Sequence, residues 1–188
     1  MTPPEVPVPP RFLVVTVLGA GILCGAAVHP ASAQGEPRTT VAGGYTYLRE
    51  QGPGGFEAVN YPIGWVVTGS QRLGSGRLSG VGEFGVSSRN NSVDETQRLV
   101  AILGGARFGL LASARMLVFA QALVGVERFS EPGLAESGLA IQPGGGLDWT
   151  MWSRYFLRAQ ADYRLARQTG GTFKELRAFV GAGVRIRP

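Results

Sequence analysis

The chain has 188 residues, of which 44% are hydrophobic and only 16% charged, and its formal net charge is +5. Lys174 is the only lysine, so arginine supplies nearly all of the positive charge, and the only cysteine and histidine, Cys24 and His29, lie near the N-terminus. The rest of the sequence therefore cannot form disulfides or Cys/His metal sites, and it cannot use thiol or histidine catalysis, which excludes most enzyme classes.

The N-terminal segment has the pattern of a secretory signal peptide. Arg11 precedes an apolar run over residues 12–28, and Ala31-Ser32-Ala33 follows as a small-residue cleavage site. We expect cleavage after Ala33, a short N-terminal segment over residues 34–38, and one domain over 39–188. The alternative is an uncleaved membrane anchor, for which the run is at the low limit of length.

The remaining chain predicts β-strands, because polar and apolar residues alternate with a period of two. In the segment 154–165, Arg158, Asp162 and Arg164 share one parity, while Leu157 and Tyr163 share the other. Successive side chains of a strand point to opposite faces. Eight such segments are predicted: Thr39–Arg49, Tyr61–Arg72, Leu78–Arg89, Gln97–Phe108, Ala114–Phe129, Leu139–Thr150, Arg154–Arg167 and Leu176–Arg187.

The predicted connections alternate in length. Four are longer: Glu50–Asn60, Asn90–Thr96, Ser130–Gly138 and Gln168–Glu175. The three between them are shorter: Leu73–Arg77, Gly109–Ser113 and Met151–Ser153. Bacterial transmembrane barrels have short periplasmic turns and longer outer loops. Together with long strands and many glycines, this pattern predicts an all-β, eight-stranded antiparallel up-and-down transmembrane β-barrel preceded by a signal peptide.

Aromatic residues lie near both predicted rims, as in the aromatic girdles of membrane barrels. Phe108, Trp149, Trp152 and Tyr155 lie at the short-turn rim, and Tyr61, Phe129 and Phe173 lie near the loop rim. A soluble barrel would instead place such residues inside.

Charged and amide side chains are predicted to fill the lumen, because they share the parity opposite to the apolar face. The inward set is Glu83, Arg107, Arg115, Gln121, Glu127, Asp148, Arg158, Gln160, Asp162, Arg164, Arg177 and Arg185. An eight-stranded barrel is just wide enough for side chains, and desolvated charges need partners. We therefore expect an ion-pair network that plugs the barrel. The alternative is a narrow porin-like channel that excludes cations, since arginine outnumbers acid in this set.

Several segments resemble the small outer-membrane β-barrel domain proteins of Gram-negative bacteria, which are similar in architecture to the outer-membrane protein A barrel. The resemblance rests on residues 41–49, 64–65, 80–85, 105–108, 119–125, 144–148 and 157–163. It implies the barrel fold and an outer-membrane location, but neither a transported substrate nor a partner. In an outer membrane, we expect the barrel to contact outer-membrane lipid and lipopolysaccharide. The last strand also resembles the signal read by the outer-membrane barrel assembly machinery, with Gly181, Val184 and Ile186 at its glycine and apolar positions.

The function predicted from these features is a structural or surface-interaction role in the outer membrane, as a monomer without cofactor, metal or catalytic residues. Known barrel enzymes use a histidine, and none is left after signal cleavage. The arginines are scattered and form no nucleic-acid-binding motif. Arg49 and Arg89 border the outer loops and are candidates for lipopolysaccharide phosphates. A secreted lipocalin-like ligand-binding barrel is a further alternative, and it would place apolar side chains inside.

Overall fold

The structure, a computed structural model, describes residues 39–52, 58–90 and 96–186 and is built of β-strands. The predicted signal peptide (1–33) and the segment 34–38 lie outside the described residues. The strands are β1 Thr39–Gln51, β2 Val59–Tyr61, β3 Ile63–Arg72, β4 Leu78–Asn90, β5 Thr96–Ala112, β6 Met116–Glu131, β7 Leu134–Thr150, β8 Tyr155–Gln168 and β9 Gly171–Ile186. No helix in these ranges is long and apolar enough to cross a membrane.

The strands close into a barrel of eight positions. Neighbouring strands are antiparallel, and β1 pairs with β9 to complete the circle. Strands β2 and β3, separated by Pro62, both pair with β1 and together form the second position. Proline has no N–H to donate to the ladder, which explains the interruption. The predicted all-β, eight-stranded antiparallel up-and-down barrel is confirmed.

Two of the predicted long connections are tight hairpins, so the predicted alternation of loop lengths is wrong there. Pro132 and Gly133 alone connect β6 to β7, and Thr169 and Gly170 alone connect β8 to β9. Gly133 has φ +81°, as the third residue of a type II turn requires, and proline suits the position before it. The strands consequently extend through residues that were predicted to be loop.

For reference, the end of the barrel where β1 begins and β9 ends, with Thr39 and Ile186, is called the termini end. The opposite end, with Gln51 and Gly171, is called the distal end.

Strand β5 reaches Ala112 at the termini end, four residues beyond the predicted boundary, after a register shift between Gly109 and Leu111. Pro143 lies within β7, which remains paired with β6 at that residue.

The two faces of the barrel have opposite polarity. Large apolar side chains point outward, and Ile102 and Val180 are 62% and 65% exposed. The inward face buries polar and charged residues together with two apolar clusters, one around Leu103 and Leu123 and the other around Leu48. A lipocalin-like barrel requires the reverse arrangement, with polar side chains outside.

The aromatic prediction holds at the termini end and is wrong at the distal end. Trp152 and Tyr155 are exposed, with their rings in edge contact. In contrast, Tyr61 is buried, and Phe129 and Phe173 line an interior cavity with it. Their parity, rather than their distance from the rim, decides their direction, because Tyr61 shares the inward face with the buried Leu48 opposite it.

Candidate functional site

The centre of the barrel interior is an arginine held by two carboxylates. Arg177 on β9 is 1% exposed, and its Nη1 lies 2.7 Å from Oε1 of Glu83 on β4. Its Nη2 lies 2.6 Å from Oδ2 of Asp162 on β8. Asp162 is the register partner of Arg177 on the neighbouring strand β8. Glu83 is 94 residues from Arg177 in the sequence, and its strand β4 does not pair with β9. The arginine therefore joins three strands across the lumen.

Amide side chains extend this centre toward the termini end. Gln121 and Gln160 each donate to Oδ1 of Asp162, at 3.2 and 3.1 Å. The Oε1 atom of Gln121 in turn accepts from Arg107, at 3.1 Å from Nε and 2.8 Å from Nη2. The hydrogen-bond chain thus runs from Arg177 through one carboxylate and one amide to Arg107.

A second arginine organises the side toward the distal end. Nη1 of Arg164 lies 2.5 Å from Oε2 of Glu127 and 3.1 Å from Oε2 of Glu175. Its Nε donates to Oε1 of Gln142 at 2.8 Å, and Gln142 donates to Glu83 at 3.1 Å. Gln142 therefore connects the Arg164 group to the Arg177 group, and the two form one network.

A third pair lies nearer the termini end. Nε and Nη2 of Arg158 donate to the two carboxylate oxygens of Asp148 at 2.6 and 2.7 Å, which is the two-point geometry of strong arginine–carboxylate pairs. The guanidinium also lies 5.1 Å from the ring centre of Phe119 and 5.2 Å from that of Phe156. Arg107 lies over the same Phe119 ring at 4.1 Å, so this pair adjoins the main network.

The structure places ten of the twelve predicted lumen residues in this buried network. They are Glu83, Arg107, Gln121, Glu127, Asp148, Arg158, Gln160, Asp162, Arg164 and Arg177. Arg115 is exposed, because it lies in the turn before Met116, where strand alternation no longer sets direction. Arg185 is half-buried over Phe156 at 5.4 Å and joins no ion pair among the described residues.

Two network members were missed by the sequence analysis. Glu175 was assigned to a loop, and the tight hairpin places it in β9 instead. Gln142 lies within a predicted strand and shares the parity of Asp148, so alternation alone could have identified it. Both side chains are fully buried.

A cavity lies on each side of the network. The distal cavity has a volume of about 240 Å³ and includes Gln168, whose Nε2 is 3.4 Å from Oε1 of Glu127. The cavity at the termini end has a volume of about 250 Å³ and is lined in part by Arg107. In the described ranges, no group of three or more His, Cys, Asp or Glu residues could hold a metal ion.

Charge on the outward face has one sign. All eight acidic residues of the described part point inward: Glu50, Glu83, Glu127, Glu131, Glu136, Asp148, Asp162 and Glu175. The outward charged residues of the strands lie near the distal end and are all basic: Arg49, Arg98, Arg128, Arg167 and Lys174, here called the basic belt.

One of the two predicted lipopolysaccharide contacts is corrected by this geometry. Arg89 shares the inward parity of Glu83, lies 5.7 Å from the ring centre of Tyr61 and donates to Gln97 at 2.6 Å. Its guanidinium therefore belongs to the lumen. Arg49 is exposed on the outward face as expected.

No family model matches the chain, and no curated protein matches it. Among solved structures, neisserial surface protein A is similar with a TM-score of 0.66 and 11% identity, over 79% of this chain and 97% of that chain. Ail, the attachment invasion locus protein of Yersinia pestis, is similar with a TM-score of 0.55 and 20% identity, over 80% of this chain and 99% of that one. Ail in complex with the heparin analogue sucrose octasulfate gives a TM-score of 0.54 and 18% identity, over 79% and 98%.

At these identities the similarity shows a shared fold. The predicted resemblance to small eight-stranded outer-membrane barrels is confirmed at that level.

Proposed function

We propose that this protein is an integral outer-membrane barrel with a non-catalytic structural or surface-interaction role, whose interior is closed by the ion-pair network. The observation that carries the proposal is the reversed polarity of the barrel. Apolar side chains cover the outward face, whereas every described acidic residue is on the inward face and five of the eight are buried. An apolar outward face is stable against lipid hydrocarbon, whereas its exposure to water is unfavourable.

The backbone supports the same proposal. A bilayer core offers no hydrogen-bond partners, so only helices and closed barrels can cross it. Pairing of β1 with β9 closes the circle, so the strands of the described part leave no open edge. Most strands have 13 to 17 residues, including β1, β5 and β7, and about 9–11 tilted residues are enough to cross a bilayer.

Fractionation of cells that express the full chain tests the location. We expect to find the protein in the detergent-extractable outer membrane. Its measured mass should be that of a mature chain that begins at Gln34. On gels, the folded barrel should migrate differently before and after heating. Recovery as a water-soluble periplasmic protein would overturn the proposal.

The second part of the proposal is that the lumen is plugged. Arg177 and Arg164 hold carboxylates from neighbouring and from more distant strands at 2.5 to 3.1 Å, and the inward-facing Phe179 and Leu123 are fully buried as well. We expect refolded protein in planar bilayers to give no stable conductance steps, with a known porin as the positive control in the same membrane. Reproducible single-channel steps would favour the alternative, a narrow porin-like channel.

The basic belt is proposed to contact lipopolysaccharide phosphates. Arginine forks bind phosphate and sulfate esters in the same way, and the complex of Ail with sucrose octasulfate concerns a ligand of this chemistry. Each basic residue near an anionic lipid surface contributes about 1 kcal/mol, or roughly fivefold in affinity.

We therefore expect the double substitution Arg49→Gln and Arg128→Gln to weaken binding of fluorescent lipopolysaccharide by roughly thirtyfold. The titration is done with detergent-solubilised protein at low salt. Arg154→Gln is the matched control, since Arg154 is an exposed arginine at the termini end. Equal affinities of the wild type and the double variant would contradict the role of the belt.

Assembly is proposed to depend on the last strand. Val184 and Ile186 lie at the end of β9, and Gly181 lies opposite Gly44 where β9 closes the barrel with β1. These residues would be read by the barrel assembly machinery before closure. The finished barrel is proposed to act as a monomer.

A further inference from the structure

The cavity at the termini end has the chemistry of an anion site. Its volume is about 250 Å³, and among the described residues the charged members of its lining are Arg72, Arg77 and Arg107 and none is acidic. Ser79, which carries a hydroxyl group, and Phe119 also line this cavity. Arg77 and Arg107, the two arginines on which the argument below depends, therefore present positive charge to an anion that enters the pocket.

Arg107 lacks the counter-charge that the other buried arginines have. It is 5% exposed, yet its hydrogen bonds go to a neutral atom, Oε1 of Gln121. Arg158 and Arg177 each hold a carboxylate, whereas no carboxylate of the described residues pairs with Arg107. A buried charge without an ion-pair partner is unfavourable, and the Gln121 amide and the Phe119 ring that contact Arg107 are neutral, so an anion that reached this guanidinium would be stabilised by it.

The surrounding charges favour the same ligand. The described charged residues at this end of the barrel are seven arginines and one acid: Arg72, Arg77, Arg107, Arg115, Arg154, Arg158 and Arg185, with Asp148. Both oxygens of Asp148 are occupied by Arg158. A cleft lined by one sign of charge concentrates ions of the opposite sign.

We propose that this cavity binds a phosphate group, either as a free small phosphate or as the headgroup of a lipid. Arg107 has five N–H donors, of which two are used by Gln121. Arginine forks match the oxygens of phosphate, and the exposed Arg77 can approach from the rim. The cavity is smaller than the roughly 300–1,000 Å³ of pockets for drug-sized ligands, which suits a group of headgroup size.

The test uses full-length protein in an uncharged detergent, so its outcome does not depend on where the protein resides. Inorganic phosphate is titrated while the backbone amides of Gly76 and Gly109, both in the cavity wall, are followed by NMR. We expect saturable shifts in the wild type. Arg77→Gln and Arg107→Gln should each weaken binding by about tenfold, because each removes a charge-assisted hydrogen-bond donor.

Arg115→Gln is the matched control, because Arg115 is an exposed arginine at the same end outside the cavity. Its affinity should equal that of the wild type. Arg107→Lys guards against a folding defect, since it keeps the charge and should retain part of the affinity. Equal weakening by Arg115→Gln would show general charge screening and overturn the site.

The source of the phosphate is decided by a parallel titration with phosphatidic acid in the same micelles. Shifts of the same two amides at lower concentrations than inorganic phosphate requires would identify a lipid headgroup. Shifts with inorganic phosphate at equal or lower concentrations would identify a soluble ligand. Without saturable shifts from either probe, the proposal is wrong.

Discussion

Replacement of Arg177 by glutamine is expected to lower the free energy of unfolding by about 3–5 kcal/mol, the usual effect of removing one partner from a buried ion pair. The side chain is 1% exposed and neutralises two carboxylates, Glu83 and Asp162, that are themselves buried. Without it, both carboxylates remain enclosed without a cation. Urea unfolding of the refolded protein in lipid vesicles measures the change.

Two further variants separate charge from packing. Arg128→Gln makes the same chemical change on the outward face, where the side chain is exposed, and should change stability by less than about 0.5 kcal/mol. The triple substitution Arg177→Met, Glu83→Gln and Asp162→Asn removes the charges together. It should recover much of the lost stability, because replacing a whole buried ion cluster by neutral groups is often nearly neutral.

If Arg177→Gln unfolds at the same urea concentration as the wild type, the network contributes little to stability. If the triple variant is less stable than the single one, shape rather than charge balance governs the centre of the lumen. Either result would remove the reason to regard the network as an electrostatic plug.

The alternation of polar and apolar residues predicts which side chains point into the barrel, but not which of them contact one another. A strand directs successive residues to opposite faces, so parity in the sequence alone predicts that Asp162, Arg164 and Arg177 point inward. Parity does not say which residues meet across the lumen. That depends on the stagger of the strands around the barrel, and the contact of Glu83 with Arg177 joins residues 94 positions apart.

The mistakes have equally local causes. Arg115 follows a register shift and lies in a turn, where the period of two ends. The prediction for Arg89 rests on its distance from a loop, whereas its direction follows from its parity, which is that of Glu83 six residues earlier. The predicted loop Gln168–Glu175 contains Glu175, whereas the actual connection is only Thr169 and Gly170 and β9 already begins at Gly171.

Substitution of Gly125 by alanine is expected to destabilise the barrel by about 1–3 kcal/mol, as overpacking of a close-packed interior does. A Cβ atom at this position would lie only 2.0 Å from the carbonyl oxygen of Ile102 and 2.8 Å from Cα of Leu103. Both atoms belong to the backbone of β5, so no side-chain rotation relieves the clash. The strands β5 and β6 would have to separate locally, and urea unfolding in vesicles reports the loss.

Gly82→Ala is the matched control for this argument. A Cβ atom at Gly82 meets no atom within 4 Å, although this glycine also lies inside a paired strand. Its backbone has no positive φ, so alanine fits the folded conformation. Alanine also lowers the conformational entropy of the unfolded chain, so stability should stay unchanged or rise by about 0.4–1 kcal/mol. Close approach of the neighbouring backbone, rather than glycine content as such, then explains why Gly125 is required. Similar losses in the two variants would contradict that explanation, because only one of the two positions is crowded.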